Sequence, residues 1–217
     1  MKIFEVELKF QVLDKGQLKD FVKKLTPIGK RRVVDVYLDT KDGDLYRKGI
    51  FIRIRDNKTL DFKFNLEDFK NLETESEHEH CEEHSFSLPI SAESLEAINQ
   101  NLRILGLKEI SSPDLEEFKK LNGFVESVML DKIREKFRDE DFEYSVDDVK
   151  GLGQFMEIET QASEDQLEEI KEVMRENVKN LKLKLITTGY NELYWRKHNF
   201  DLYKQGRYFL EEDKGNF

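Results

Sequence analysis

Charged side chains occupy every second position in four separated segments: Glu5, Glu7 and Lys9; Arg53 and Arg55; Lys132, Arg134 and Lys136; and Glu157 and Glu159. Successive side chains of a β-strand leave opposite faces, so each set projects from one side with about 7 Å between its members. Val6, Leu8, Ile52, Ile54, Ile133 and Ile158 take the other side. Such strands fit a barrel turned partly inside out, with apolar faces outward and carboxylates and guanidinium groups in a shared, ion-filled lumen. That lumen would suit a metal-bound polyphosphate.

Period-two patterns rich in β-branched and aromatic residues predict strands near 2-13, 33-40, 49-56, 58-65, 79-89, 125-137, 141-148 and 153-161. Asp56-Asn57-Lys58, Arg138-Asp139-Glu140 and Lys150-Gly151-Leu152-Gly153 read as hairpin turns, which makes the sheet largely antiparallel. Helical periodicity covers about 15-26, 91-105, 114-122, 164-180 and 189-204, and these helices would shield the apolar outer faces of the strands. The fold class is therefore α+β, an eight-stranded antiparallel β-barrel with a charged lumen and surrounding helices. Residues 1-197 are expected to form this domain, and 198-217 a helical and charged extension in which Tyr208, Phe209 and Leu210 are docking points. The acidic stretch from Asn65 to His80 reads as an excursion between strands.

A formal net charge of -10 on 217 residues repels nucleic acid and anionic membrane on average, so neither is an expected partner. The chain opens on a strand pattern and contains no apolar run of the roughly 18 residues needed to span a bilayer, so a cytoplasmic protein is expected. The one cysteine, Cys81, agrees with a reducing compartment. A homodimer is neither required nor excluded.

Glu5 and Glu7 on one strand face offer hard oxygen ligands for Mg²⁺ or Mn²⁺, and Lys9 on that face offers a phosphate a point charge. Arg53 and Arg55 carry planar forks that grip phosphate oxygens bidentately, and Lys63 could share their face across a hairpin. Lys132, Arg134 and Lys136 form a second basic stripe, and Glu157 and Glu159 repeat the acidic pair, with Asp147 and Asp148 one hairpin earlier. Four neighbouring carboxylates cannot all stay ionised without cations, which makes metal binding the economical reading over ordinary surface charge.

Glu5-Val6-Glu7-Leu8-Lys9 resembles the ExExK signature of the CYTH superfamily, the triphosphate tunnel metalloenzymes, and the likeness continues in order. Tyr37-Leu38-Asp39-Thr40, Leu45 to Gly49, Ile52-Arg53-Ile54-Arg55, Lys63, Lys132-Ile133-Arg134, Asp148-Val149-Lys150-Gly151-Leu152-Gly153, Glu157-Ile158-Glu159 and Tyr190-Asn191-Glu192-Leu193 look like their counterparts, up to about residue 195. The resemblance implies an eight-stranded tunnel that binds a triphosphate with a divalent metal, in a family of inorganic, thiamine and RNA triphosphatases and class IV adenylyl cyclases. It implies Glu5, Glu7, Glu157 and Glu159 as metal ligands and, with Lys9, as catalytic residues. It implies Lys9, Arg53, Arg55, Lys63, Lys132 and Arg134 as phosphate contacts. Where many relatives have Arg-Glu-Glu on the fifth strand, this chain reads Cys81-Glu82-Glu83-His84, a departure that would remove one cationic contact.

The expected activity is divalent-metal-dependent hydrolysis of tripolyphosphate or of a nucleoside or thiamine triphosphate, with Mg²⁺ or Mn²⁺ as cofactor. The alternatives are a class IV adenylyl cyclase making cyclic AMP and pyrophosphate from ATP, and a non-catalytic polyphosphate or nucleotide sensor. His78, His80 and His84 with Cys81 invite a zinc reading, but no second ligand cluster accompanies them and a solvated strand end is favoured. Trp195, among helical apolar positions, reads as packing.

Overall fold

The computed structural model describes residues 3-66 and 81-214, with the side chains of residues 3, 4, 5 and 164 outside that description. Among these residues nine strands form: β1 Ile3–Val12, β2 Thr26–Asp39, β3 Phe51–Arg55, β4 Thr59–Phe64, β5 Glu82–Ser87, β6 Val125–Arg138, β7 Glu143–Val149, β8 Gly153–Ser163 and β9 Leu183–Ile186. Their order in one sheet is β5-β4-β3-β2-β6-β7-β8-β1-β9. All eight expected strands form. β9 is the addition, and β2 begins well before residue 33. Its first half, through Arg32, is exposed and lacks the apolar alternation that announces a strand. It is tied instead by Lys30 to Glu135 at 2.8 Å and by a two-point Arg32–Asp131 fork at 2.7 and 2.8 Å. Among the described residues seven helices accompany the strands: α1 Lys15–Val22, α2 Asp44–Arg47, α3 Ala92–Ile104, α4 Leu115–Asn122, α5 Leu167–Val178, α6 Tyr190–His198 and α7 Phe200–Tyr203.

The chain divides into two compact units, residues 1-33 with 131-187, and residues 34-130 with 188-217. In the first, Val6, Leu8 and Phe10 of β1 lie with Tyr144 and Val146 of β7 and Met156 and Ile158 of β8 in a core that also takes in Leu18 of α1 and Met174 and Val178 of α5. In the second, Ile52, Ile54, Leu60, Phe62 and Phe64 of β3 and β4 meet Ile98 and Leu102 of α3 and Phe118 of α4. Each fully buried side chain of this size contributes roughly 1.5–3 kcal/mol. The helices thus cover the apolar face of each half-sheet, and the opposite face is left to the charged set.

Turn chemistry fixes the registers. Asp56 and Asn57 both adopt φ of 54°, the left-handed pair of a type I′ turn, and set Arg53 opposite Asp61 and Arg55 opposite Thr59. Asp39 accepts from the backbone N–H groups of Thr40, Leu45 and Tyr46, so its carboxylate caps α2 and shapes the link into β3. At Gly49, φ is 70° and an added Cβ would lie 3.1 Å from the Tyr208 ring, so any other side chain would be strained there. The C-terminal segment is anchored in the second unit: Arg196 and the Tyr203 hydroxyl both donate to Asp213, and Tyr208 packs on Phe51 with ring centroids 6.0 Å apart.

Candidate functional site

Cross-strand partners share a face of a sheet, so the register of the first unit places its charged residues row by row. Glu7 faces Glu159, which faces Glu143. The next row holds Lys9, Glu157, Ser145 and Lys136. After it come Gln11, Phe155, Asp147 and Arg134, and then Val149 with Lys132. The sequence-predicted residues Glu7, Lys9, Lys132, Arg134, Glu157 and Glu159 therefore occupy one face of four adjacent strands. The strand backbone pairs Glu5 with Gln161, and the Glu5 side chain lies outside the described residues.

Opposite charges interlock on this face. Lys9 Nζ is 3.1 Å from Glu7 and 3.2 Å from Glu157. Arg134 donates to both oxygens of Asp147, at 2.7 and 2.6 Å, and to Glu157. Lys132 reaches Asp147 at 3.1 Å. Lys136 lies 3.2 Å from Glu143 and 3.7 Å from Glu159. Burial favours a neutral Glu157, but Lys9, Arg134 and Lys132 override it and hold the carboxyl well below the usual carboxylate range. Burial likewise disfavours a charged Lys9, and Glu7 and Glu157 reverse this and raise its affinity for the proton. Glu159 differs: burial pushes it up to about 7, with Glu157 and Glu7 adding to the rise against the pull of Lys136 and Arg134. The protein's own lysines and arginine thus do for Glu157 what the charge pattern of the sequence assigns to metal, while Glu159 is left short of positive charge.

The second unit has its own charged face, on β2, β3, β4 and β5. Its rows are Asp35, Arg55, Thr59 and Ser87, then Tyr37, Arg53, Asp61 and Ser85, then Phe51, Lys63 and Glu83. Arg55 forks onto both oxygens of Asp35 at 2.7 and 3.2 Å. Arg53 donates to Asp61 at 2.8 Å and to Glu83 at 2.7 Å. Burial pushes the Tyr37 hydroxyl up to about 12, against the opposing pull of Arg53. Lys63 joins this face, and among the described residues it has no ion pair.

Sequence reasoning missed Asp35 and Asp61 and gave Asp147 no role. The signal was present as parity: Asp35 alternates with Tyr37, and Asp61 with Lys63, but pairing to an arginine becomes visible only once the register is known. His84 lies in register with Phe62, on the apolar face, with Nδ1 2.6 Å from the Asn101 side-chain oxygen. His78 and His80 are outside the described residues. Cys81 Sγ is 3.5 Å from the Tyr208 hydroxyl. Trp195 packs edge-on against Tyr46 and Tyr194.

The donor chemistry on the first face fits a hard divalent cation: Glu7 and Glu159 sit directly opposite each other, and burial with too little neighbouring positive charge holds Glu159 up to about 7, which a cation would reverse. Among the described residues, no three acidic, histidine or cysteine side chains converge into a finished ligand set. A ligand set would therefore draw on Glu7 and Glu159, with Glu157 held by Lys9 and Arg134 beside them.

Comparison with known proteins matches the model of the CYTH domain to residues 4–189. A Methanocaldococcus jannaschii protein named "Putative adenylate cyclase MJ0240" is 27% identical over 197 residues, 88% of this chain and 98% of its own. The PH1819 protein of Pyrococcus horikoshii OT3 has a similar structure, with a TM-score of 0.59 at 21% identity, covering 89% of this chain and 99% of that one. A Hippeastrum protein, HpAC1, described as a putative adenylyl cyclase with a dominant triphosphatase activity, superposes with a TM-score of 0.56 at 21% identity, covering 97% of this chain and 98% of its own. No helix among the described residues is long and apolar enough to cross a membrane.

Proposed function

The chain belongs to the CYTH domain family, and from that premise we propose that it is a divalent-metal-dependent triphosphate hydrolase acting on tripolyphosphate or an organic triphosphate. The observation that carries this reading is the interlocked face of the first unit, where Lys9, Lys132 and Arg134 are held beside the buried acids Glu157 and Asp147. A phosphate chain presents the same kind of oxygen as those carboxylates, in the geometry an arginine fork prefers, so it can compete for cations already held in place.

A bound Mg²⁺ or Mn²⁺ would neutralise phosphate charge and assist a water in attacking phosphorus. Glu7 and Glu159 would hold the cation. Lys9, Lys132 and Arg134 would orient the phosphates and stabilise charge that builds on them as the bond breaks. On the face of the second unit, Arg53, Arg55 and Lys63 would be phosphate contacts. The likeness to a Hippeastrum protein with dominant triphosphatase activity supports hydrolysis. The likeness to proteins named as adenylate cyclases supports the second reading, in which the 3′-hydroxyl of ATP attacks the α-phosphate and releases pyrophosphate.

Incubating the protein with tripolyphosphate, ATP and thiamine triphosphate, each with Mg²⁺, Mn²⁺ or EDTA, separates the readings. Metal-dependent release of orthophosphate is the expected result, and Glu159→Gln should reduce it by at least about a hundredfold in kcat. Cyclic AMP with stoichiometric pyrophosphate would replace the hydrolase with the cyclase. Binding without product under every metal would leave a sensor.

A further inference from the structure

Ser145 lies at the centre of the first charged face, in register between Lys136 of β6 and Glu157 of β8. The residue is 0% exposed. Its Oγ has no hydrogen-bond partner among the described residues. Every ionic group around it is engaged: Lys9 and Arg134 on Glu157, Lys136 on Glu143 and Glu159, and Lys132 and Arg134 on Asp147. A buried hydroxyl left unpaired in so polar a setting is unfavourable for the resting fold, and such groups persist in native proteins where they serve something other than stability.

We propose that Ser145 is a phosphate contact, its hydroxyl donating to a non-bridging oxygen of a triphosphate held on this face. The inference rests on the triphosphate reading above and adds to it a residue that no charge pattern marks. The chemistry follows from what a hydroxyl can do beside carboxylates and ammonium groups. It donates one hydrogen bond without adding charge, and it can turn its proton toward whichever oxygen arrives. Lysines and arginine draw a phosphate chain in by charge, with little directional demand from the lysines. A short, buried side chain on a strand has a fixed position, so it would define where along the face one phosphate sits. Binding would satisfy the hydroxyl, which is why its unpaired state in the resting protein supports the assignment.

The test is calorimetric titration of inorganic tripolyphosphate in EDTA, where no turnover interferes, on the full chain and on Ser145→Ala, together with thermal melts of both. The expected result is binding weakened about tenfold in Ser145→Ala, with Tm unchanged or higher because the unpaired hydroxyl has gone. Ser145→Cys, close in size but with a weak donor, should also lose affinity and keep its Tm. Equal affinity of the full chain and Ser145→Ala would overturn the proposal while leaving the triphosphate reading intact. A fall in Tm for both variants would make the serine structural and equally overturn it. Failure of the unaltered protein to bind tripolyphosphate would remove the reading itself.

Discussion

On the face built from β2 to β5, Arg55 forks onto both oxygens of Asp35, while Arg53 bridges Asp61 and Glu83. On the face built from β1, β6, β7 and β8, cations and acids are shared, with Arg134 serving Asp147 and Glu157, and Lys9 serving Glu7 and Glu157. Matched pairs fix arginine geometry. Shared charges leave a surplus somewhere, and here it falls on Glu159, whose carboxyl is pushed up to about 7 by burial and by Glu157 and Glu7. The first arrangement suits a rigid grip, and the second suits a face whose charges rearrange when a cation or an anion arrives.

Removing matched pairs and shared charges should expose the contrast most strongly. Arg55→Met takes from the buried Asp35 its two-point partner, and Arg134→Met leaves Asp147 and Glu157 one cation short, so each should lose about 3–5 kcal/mol in urea melts. The double variants should then diverge. Arg55→Met with Asp35→Leu removes both ends of the two-point fork and should recover most of that loss. Arg134→Met with Asp147→Leu takes the Asp147 contact from the buried Lys132 and still deprives Glu157 of Arg134, so it should remain about 3 kcal/mol down. Equal recovery in both would collapse the distinction between the two faces.

The next effect is pH dependence. Glu159 holds its proton up to about 7, whereas an unperturbed glutamate releases it near 4.5. Between those values the folded state binds more protons than the unfolded chain, so this group's contribution falls as pH rises through the window. At 1.36 kcal/mol per unit, and allowing for its partial exposure, the loss is about 2 kcal/mol. Melts in EDTA from pH 4.5 to 7.5 should show this decline in the original protein but not in Glu159→Gln, which should be the more stable of the two at the upper end. Millimolar Mg²⁺ should recover most of the difference in the original protein. Parallel pH curves would mean that Lys136 already neutralises Glu159 and that the charge surplus lies elsewhere.

Part of this contrast is legible in the residue pattern alone. Alternation marks eight strands and the sidedness of the charged set, because a strand buried on one face must repeat apolar residues with period two. β9 escaped because four residues, Leu183 to Ile186, are too short for a pattern to stand out. The first half of β2 escaped because ion pairs to β6, and not burial, hold it in place. The cations were found, with Glu7 and Glu157 among their acids, but Asp35 and Asp61 were missed and Asp147 was noted without a role. Asp35, Asp61 and Asp147 matter through the strand beside them, and that information is in the register, set by turns such as Asp56-Asn57, not in the local sequence. Ser145 could not be found at all, since a serine on a strand is unremarkable until its surroundings are known.

The smallest expected effect on stability belongs to Lys63, and it tests whether the second face binds anything. Lys63 is half-buried in register with Phe51 and Glu83, and no ion pair among the described residues ties it down. Lys63→Ala should therefore change stability by no more than about 0.5 kcal/mol. If its ammonium meets a phosphate, KM for tripolyphosphate should rise roughly tenfold at nearly constant Tm, since a charge-assisted contact of this kind is worth about 1.5 kcal/mol or more. Arg53→Ala makes the control, because it removes a phosphate contact and also strands Asp61 and Glu83, so its KM and Tm should move together. An unchanged KM in Lys63→Ala, with a raised KM in Arg53→Ala that tracks its lost stability, would make the second face a structural brace and leave binding to the shared charges of the first.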